Sequence, residues 1–249
     1  MVVLKTAREI SVMREACRIS AGALKVAGEA VEPGITTAEI DEIAEKYILS
    51  KGGVPNFKNY EGYPATACIS INNEVIHGIP SRKRKIEQGD IVSIDLGAMF
   101  DGYHGDNAAT FACGDISDEA KRLINATREA LYCGINAARA GGRIGDISNA
   151  VQSFVEAEGF SVVRDFVGHG IGTHLHEAPE VPNFGAKGHG IRMLPGMTLA
   201  IEPMVNAGNY GVKVLPDGWT VLTRDGSLSA HFEHTVLITS DGPLIMTEV

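Results

Sequence analysis

No run of apolar residues in this chain approaches the roughly 18 needed to cross a bilayer as a helix, so the sequence offers no helical membrane anchor. The first residues, Met1 to Thr6, lack the apolar centre of a secretory signal. Cysteine is scarce, and Cys17, Cys68, Cys113 and Cys133 show no CxxC spacing. They read as reduced thiols of a cytoplasmic protein rather than as a disulfide framework. Basic charge is in deficit: 22 Lys and Arg against 31 Asp and Glu leave −9, which argues against nonspecific nucleic-acid binding. The one basic run, Arg82-Lys83-Arg84-Lys85, follows Pro80 and is simplest as a solvated turn. No Pro/Ser-rich linker divides the 249 residues, enough for one large domain or two intimately joined ones.

What is present comes twice. Thr6-Ala7-Arg8-Glu9 is a capping-box pattern, and Ile10, Met13, Cys17, Ala21 and Leu24 follow as a helical stripe. Pro33-Gly34 ends it. Thr36 with Glu39 opens a second helix, which Gly52-Gly53 stops. Strand-like runs cover Thr66–Ile71, Glu74–His77, Ile91–Leu96 and His104–Phe111. From Ser117 the order restarts, with helices over about 118–139 and 145–158. Strands then cover Met197–Glu202, Gly211–Leu215, Trp219–Thr223 and His234–Ile238. An offset of 107 positions carries Ala23-Leu24 to Ala130-Leu131, Gly34 to Gly141, Gly52 to Gly159 and Ile94-Asp95 to Ile201-Glu202. Two copies of helix–helix–sheet, about 7–111 and 118–246, then share one core within a single domain spanning 1–249. A pseudo-twofold axis sets Asp95 opposite Glu202.

The densest stretch of the first copy is Ser93 to Thr110. Asp101-Gly102 is a two-residue hairpin turn, so paired positions sum to 203 and Asp95 faces Ala108. Asp106, two residues from Ala108, is then a diagonal neighbour of Asp95 on the same face, roughly 7–8 Å away at the backbone. Two like charges on a dry face need compensation. A cation is the simplest; one Asp turned to solvent, or a shared proton, would also serve. The second copy supplies Glu202 and, 31 residues on, Glu233 at the start of a strand. A glycine-rich loop carries His169 and His176, seven apart, where the glycines admit close backbone approach. An imidazole added to four carboxylates suits a pair of divalent cations.

With Asp95, Asp106, His169, Glu202 and Glu233 in that order, the chain resembles the type I methionine aminopeptidases over nearly its whole length. The motifs that carry the resemblance are Asn73-Glu74-Val75-Ile76-His77-Gly78-Ile79-Pro80, Asp95-Leu96-Gly97, His104-Gly105-Asp106 and Gly168-His169-Gly170-Ile171-Gly172. His176-Glu177-Ala178-Pro179, Ile201-Glu202-Pro203 and Phe232-Glu233-His234-Thr235 complete the set. Only 25 residues separate His176 from Glu202, too few for the helical insert of type II enzymes. No Cys/His-rich segment precedes Thr6, so the expectation is the bacterial form.

The resemblance implies an α/β (α+β) pita-bread fold, with two pseudo-twofold-related halves around a central antiparallel sheet. It implies a dinuclear enzyme that hydrolyses the N-terminal methionine from nascent polypeptides with a small second residue. Two divalent ions (Co, Mn, Fe or Zn) are implied on the five residues named, with Asp106 and Glu233 bridging and Glu202 also shuttling a proton. His77 and His176 match family residues that contact the scissile amide. Phe57, Tyr60, Tyr63, Cys68 and Trp219 match the methionine pocket, although Phe57 and Leu175 stand where some relatives differ. The expected setting is a cytoplasmic monomer acting at the ribosome, with no membrane or specific nucleic-acid partner. His104, His174, His189, His231 and His234 read as supporting or surface residues. Two other readings compete. A non-catalytic binding module of the same fold should lack ligands that are all present here, and creatinase- or prolidase-like members usually carry a further N-terminal domain.

Overall fold

A computed structural model describes residues 2–248. Thr6 and Thr36 begin helices α1 (Ala7–Glu29) and α2 (Thr37–Ser50) with the anticipated capping boxes. In the first, the Thr6 N–H donates to the Glu9 carboxylate at 2.7 Å while Thr6 Oγ1 accepts from the Glu9 N–H at 3.4 Å. Each box satisfies two amide groups that the first helical turn leaves unpaired. Strands β1 (Val54–Pro55), β2 (Ala67–Ile71), β3 (Glu74–Ile76), β4 (Ile91–Phe100) and β5 (Tyr103–Ala112) follow. Then come α3 (Asp118–Ala137), α4 (Ile144–Ala157), β6 (Ser161–Val162), β7 (Gly168–Gly170), β8 (Glu177–Val181), β9 (Thr198–Ile201) and β10 (Met204–Asn206). The chain closes with β11 (Val212–Val214), β12 (Val221–Thr223), β13 (Ser229–His231), β14 (Glu233–Ile238) and β15 (Pro243–Ile245).

The main sheet runs β1-β4-β5-β14-β9-β7-β8, with antiparallel pairing throughout. Its middle, β4-β5-β14-β9, takes one hairpin from the first half of the chain and two strands from the second. Helices cover each half separately. Leu24, Ile40 and Ile94 are buried in one apolar cluster, and Leu131, Ile147 and Ile201, each 107 positions on, are buried in another. Each such side chain contributes about 1.5–3 kcal/mol on burial. Gly105 lets α1 lie directly on β5, because a Cβ there would stand 2.6 Å from the Cys17 Cα. Among the described residues no helix is long and apolar enough to cross a membrane.

Two sequence expectations need amending. β4 and β5 extend right up to the Asp101-Gly102 turn, beyond Leu96 on one side and before His104 on the other, because the ladder stays paired to its last rung. The histidine stretch is not a loop throughout. Gly168–Gly170 and Glu177–Val181 are strands, and β7 adds to the edge of β9.

Candidate active site

The hairpin fixes the first two carboxylates. Asp101 and Gly102 both have positive φ, 46° and 79°, as the turn that matches strand twist requires. The register pairs Phe100 with Tyr103, Asp95 with Ala108 and Gly97 with Asp106, as the sum of 203 demands. Across the other edge of β5, Glu233 also pairs with Ala108. β9 pairs Ala200 with Thr235 on one side and with His169 on the other, and Glu202 follows its last residue. Asp95, Asp106, Glu233, Glu202 and His169 therefore arise from five consecutive positions across the sheet: β4, β5, β14, the end of β9, and β7. The glycines beside His169 are needed for this packing. A Cβ on Gly168 would run into the Ala200 carbonyl oxygen, and one on Gly170 into that of Ala178.

All five side chains open onto one cavity of about 150 Å³. Ligand atoms of Asp106, His169 and Glu233 lie within 4.8 Å of one another. His169 Nδ1 bonds the Gly170 carbonyl at 2.9 Å, which leaves Nε2 facing Glu202 Oε1 at 3.5 Å. Asp106 and Glu233 are 3% and 2% exposed, enough to make ionisation costly. Burial pushes Asp95 up to about 7. Burial, and then the charge of Asp95, hold Asp106 well above the usual carboxylate range. Glu202 and Glu233 are raised in the same way, by burial and then by the neighbouring acids. Burial moves His169 the other way, down to about 3, so its imidazole is neutral and has a lone pair to give.

Asp95 Oδ1, Asp106 Oδ1 and Glu233 Oε1 are buried and have no hydrogen-bond partner among the described residues. Orphaned carboxylate oxygens lining one cavity, those of Asp106 and Glu233 clustered with an imidazole, fit a divalent cation, which would replace the missing donors. Oxygen-rich donors with one nitrogen do not suit a thiolate-type structural zinc site.

The remaining walls come from the sequence candidates. Phe57, Tyr60, Tyr63, Cys68 and Trp219 line the same cavity as His77 and His176, with Glu61 and Leu175 beside them. Tyr63 donates to the carbonyls of Ala67 and Gly78, both at 3.0 Å, and stands edge-on to Trp219 with ring centres 5.1 Å apart. Tyr60 Oη lies 2.9 Å from His176 Nδ1. The His176 ring meets that of His169 edge-on at 4.4 Å. Burial takes His77 down to about 4 and lowers His176 as well. The two histidines also line a second cleft of about 560 Å³ that continues outward past Phe166.

Two features escaped the sequence reading, and a third, His231, was read there only as a supporting or surface residue. Glu61 carried no signal beyond its two tyrosine neighbours. Lys5, before the first helix, forms a buried ion pair with Glu177 at 2.5 Å, tying the chain start to the segment that carries His176. His231 is 1% exposed, and its Nε2 stands 3.8 Å from Glu202 Oε2. His174 and His189 are at the surface as expected.

Residues 11–240 match the model of metallopeptidase family M24. The chain belongs to this family. M24 relatives named methionine aminopeptidase include one from Clostridium perfringens, 55% identical over 99% of both chains. Another, from Bacillus subtilis, is 51% identical over the full length of both. The crystal structure of methionine aminopeptidase from Thermotoga maritima superposes with a TM-score of 0.99 at 43% identity over all of both chains. The prolidase of Pyrococcus furiosus gives 0.80 at 25% identity, with this chain covering 66% of it. The fold is the pita-bread fold these M24 enzymes share, and the chain is a divalent-metal peptidase of the methionyl aminopeptidase group.

Proposed function

We propose that this M24 enzyme removes the initiator methionine from polypeptides whose second residue is small, using two divalent ions. The observation that carries the reading is the shared cavity. Five ligand-type side chains from neighbouring positions of one sheet open onto the same space as an aromatic and thioether-compatible wall. Asp95 would hold one ion, His169 and Glu202 the other, and Asp106 and Glu233 both. Mn²⁺, Fe²⁺, Co²⁺ and Zn²⁺ all suit these donors, and availability selects among them. Bound there, the ions supply a Lewis acid and a water acidified to near neutrality.

The chain's own residues do the rest. Phe57, Tyr60, Tyr63, Cys68 and Trp219 take the methionine side chain, where aromatic faces attract the sulfur. His77 and His176 are neutral imidazoles at pH 7 and can each present an N–H to the scissile amide, most strongly as its oxygen gains charge. Glu202, ionised once cations sit beside it, would accept a proton from the attacking water and return it to the leaving amine. The outward cleft beyond the histidines leaves an exit for the remaining peptide. The whole of 1–249 acts as one catalytic domain, and as a cytoplasmic monomer that meets its substrates as nascent chains at the ribosome.

Matched peptides test this. Met-Ala-Ser should be cleaved, with Met-Lys and Met-Leu termini poor substrates. Formyl-Met-Ala should resist, because an acylated amine has no lone pair for a cation. Equal kcat/KM for Met-Ala and formyl-Met-Ala peptides overturns the amine contact, and equal values for Met-Ala and Met-Leu overturn the narrow second subsite.

A further inference from the structure

His231 is the buried polar group that this mechanism leaves unused. Its backbone is fixed on three sides. The N–H donates to Thr110 Oγ1 at 2.9 Å, the carbonyl accepts from the same hydroxyl at 2.9 Å, and the residue pairs with Met204 of β10. The ring is thereby held inside, where neither nitrogen has a hydrogen-bond partner among the described residues. Two unmet polar atoms in a buried site carry a desolvation penalty, so an apolar side chain would serve packing better. What the ring faces is Glu202. The two oxygens of that carboxylate look at different imidazoles: Oε1 at His169 Nε2, 3.5 Å away, and Oε2 at His231 Nε2, 3.8 Å away.

We infer that His231 is a positioning residue, whose Nε2–H, 3.8 Å away here, closes to hydrogen-bond distance on Glu202 Oε2 when cations are bound, keeps that oxygen on the protein side and leaves Oε1 turned toward His169. The inference rests on the reading of Glu202 as both ligand and proton carrier. A neutral imidazole has one N–H, so this role requires the tautomer protonated at Nε2. One lone pair of Oε2 accepts that N–H and the other stays free to carry the proton taken from water. A carboxylate that could rotate would offer both oxygens to the cations and lose that division of labour.

The test compares His231→Leu, which removes the donor, with His231→Gln, which restores one. Mn²⁺ affinity is read by calorimetry, and kcat and KM are read on Met-Ala-Ser. The leucine variant should lose about 10- to 100-fold in kcat or in Mn²⁺ affinity, with KM within about threefold, and glutamine should recover most of the loss. Wild-type kcat and Mn²⁺ affinity in His231→Leu would overturn the proposal, as would equal impairment of both variants. If His231→Leu does not fold, the ring ¹⁵N shifts of the wild-type protein loaded with diamagnetic Zn²⁺ decide: an unprotonated Nε2 sinks the assignment. Cleavage of Met-Ala-Ser by the wild-type enzyme reports separately on the proposed function.

Discussion

Asp95 and Glu233 stand in one row across three strands, each the register partner of Ala108 on β5 between them. Paired residues of a ladder project from the same face. Two acids from opposite halves of the chain thus reach toward each other over the smallest side chain that still has a Cβ. Asp106 rises from the same face two residues along. It is also tied to β14 by Thr235, whose hydroxyl accepts the Asp106 N–H at 3.1 Å and donates to its carbonyl at 2.8 Å.

That central place makes Asp106 the sharpest test of the ion pair. Asp106→Asn keeps the shape but removes the charge, and an amide bridges two cations poorly. Metal content and turnover should fall together, turnover by 100-fold or more on the order of what electrostatic site groups supply. A variant that retains two tightly held ions and near-normal kcat would mean that Asp106 does not bridge.

The histidines should separate by readout. His169→Ala removes a proposed ligand and should lower metal occupancy. His77→Ala and His176→Ala should keep the metal and reduce kcat by about 10²–10³-fold, if the contacts proposed for them strengthen in the transition state. Elemental analysis of the three purified variants checks this, and equal metal loss in all three contradicts the division.

Without metal, the buried acids set a pH dependence of stability. Asp95 is held at about 7, so the folded protein keeps a proton that the unfolded chain releases above about 4. Its stabilising contribution is full below the unfolded value and is lost as pH rises through the folded one. Asp106, Glu202 and Glu233 are shifted the same way. The buried histidines oppose this only below their ordinary range, since their lowered values leave both states neutral above it. Above about pH 6.5, where the histidines are neutral in both states, metal-free protein should therefore lose stability as pH rises through about 7, by at most about 1.4 kcal/mol per pH unit for each proton retained, read as a falling melting temperature. Saturating Mn²⁺ should abolish the fall. A melting temperature that climbs over this window without metal would contradict the shifts.

The Lys5–Glu177 pair gives the opposite sign. Burial pushes the Glu177 carboxyl up, but the Lys5 ammonium and the His174 N–H outweigh it and lower it overall. Its stabilisation is present above the ordinary carboxylate range and lost as pH falls through the folded value. Lys5→Met leaves a buried carboxylate unpaired and should cost about 3–5 kcal/mol, measured by urea unfolding at pH 7. The difference from wild type should shrink toward pH 4; a constant difference would show that charge pairing is not the cause.

Much of this arrangement was legible because it is local. The Asp101-Gly102 turn dictated the register of its own hairpin, and each capping box announced a helix start. The 107 offset relates α2 to α4 end for end. The seam was not legible, because β5 and β14 meet across more than a hundred residues and no local preference selects that partner. Gly168-His169-Gly170 read as a loop, since glycine disfavours strands until a neighbour supplies the ladder. His231 looked ordinary because its importance lies wholly in what it faces. The aromatic wall came from family resemblance, and its convergence on the carboxylates needed three dimensions.

The seam also has a meaning in time. Asp95 and Asp106 emerge first in synthesis, but the row they belong to has no far side until Glu233, 127 positions after Asp106, has been made. A partial chain can fold its first hairpin and helices, yet it holds only half a cation cage. Hydrolytic capacity therefore arrives all at once, and a copy cut short before Glu233 should be inert as a peptidase.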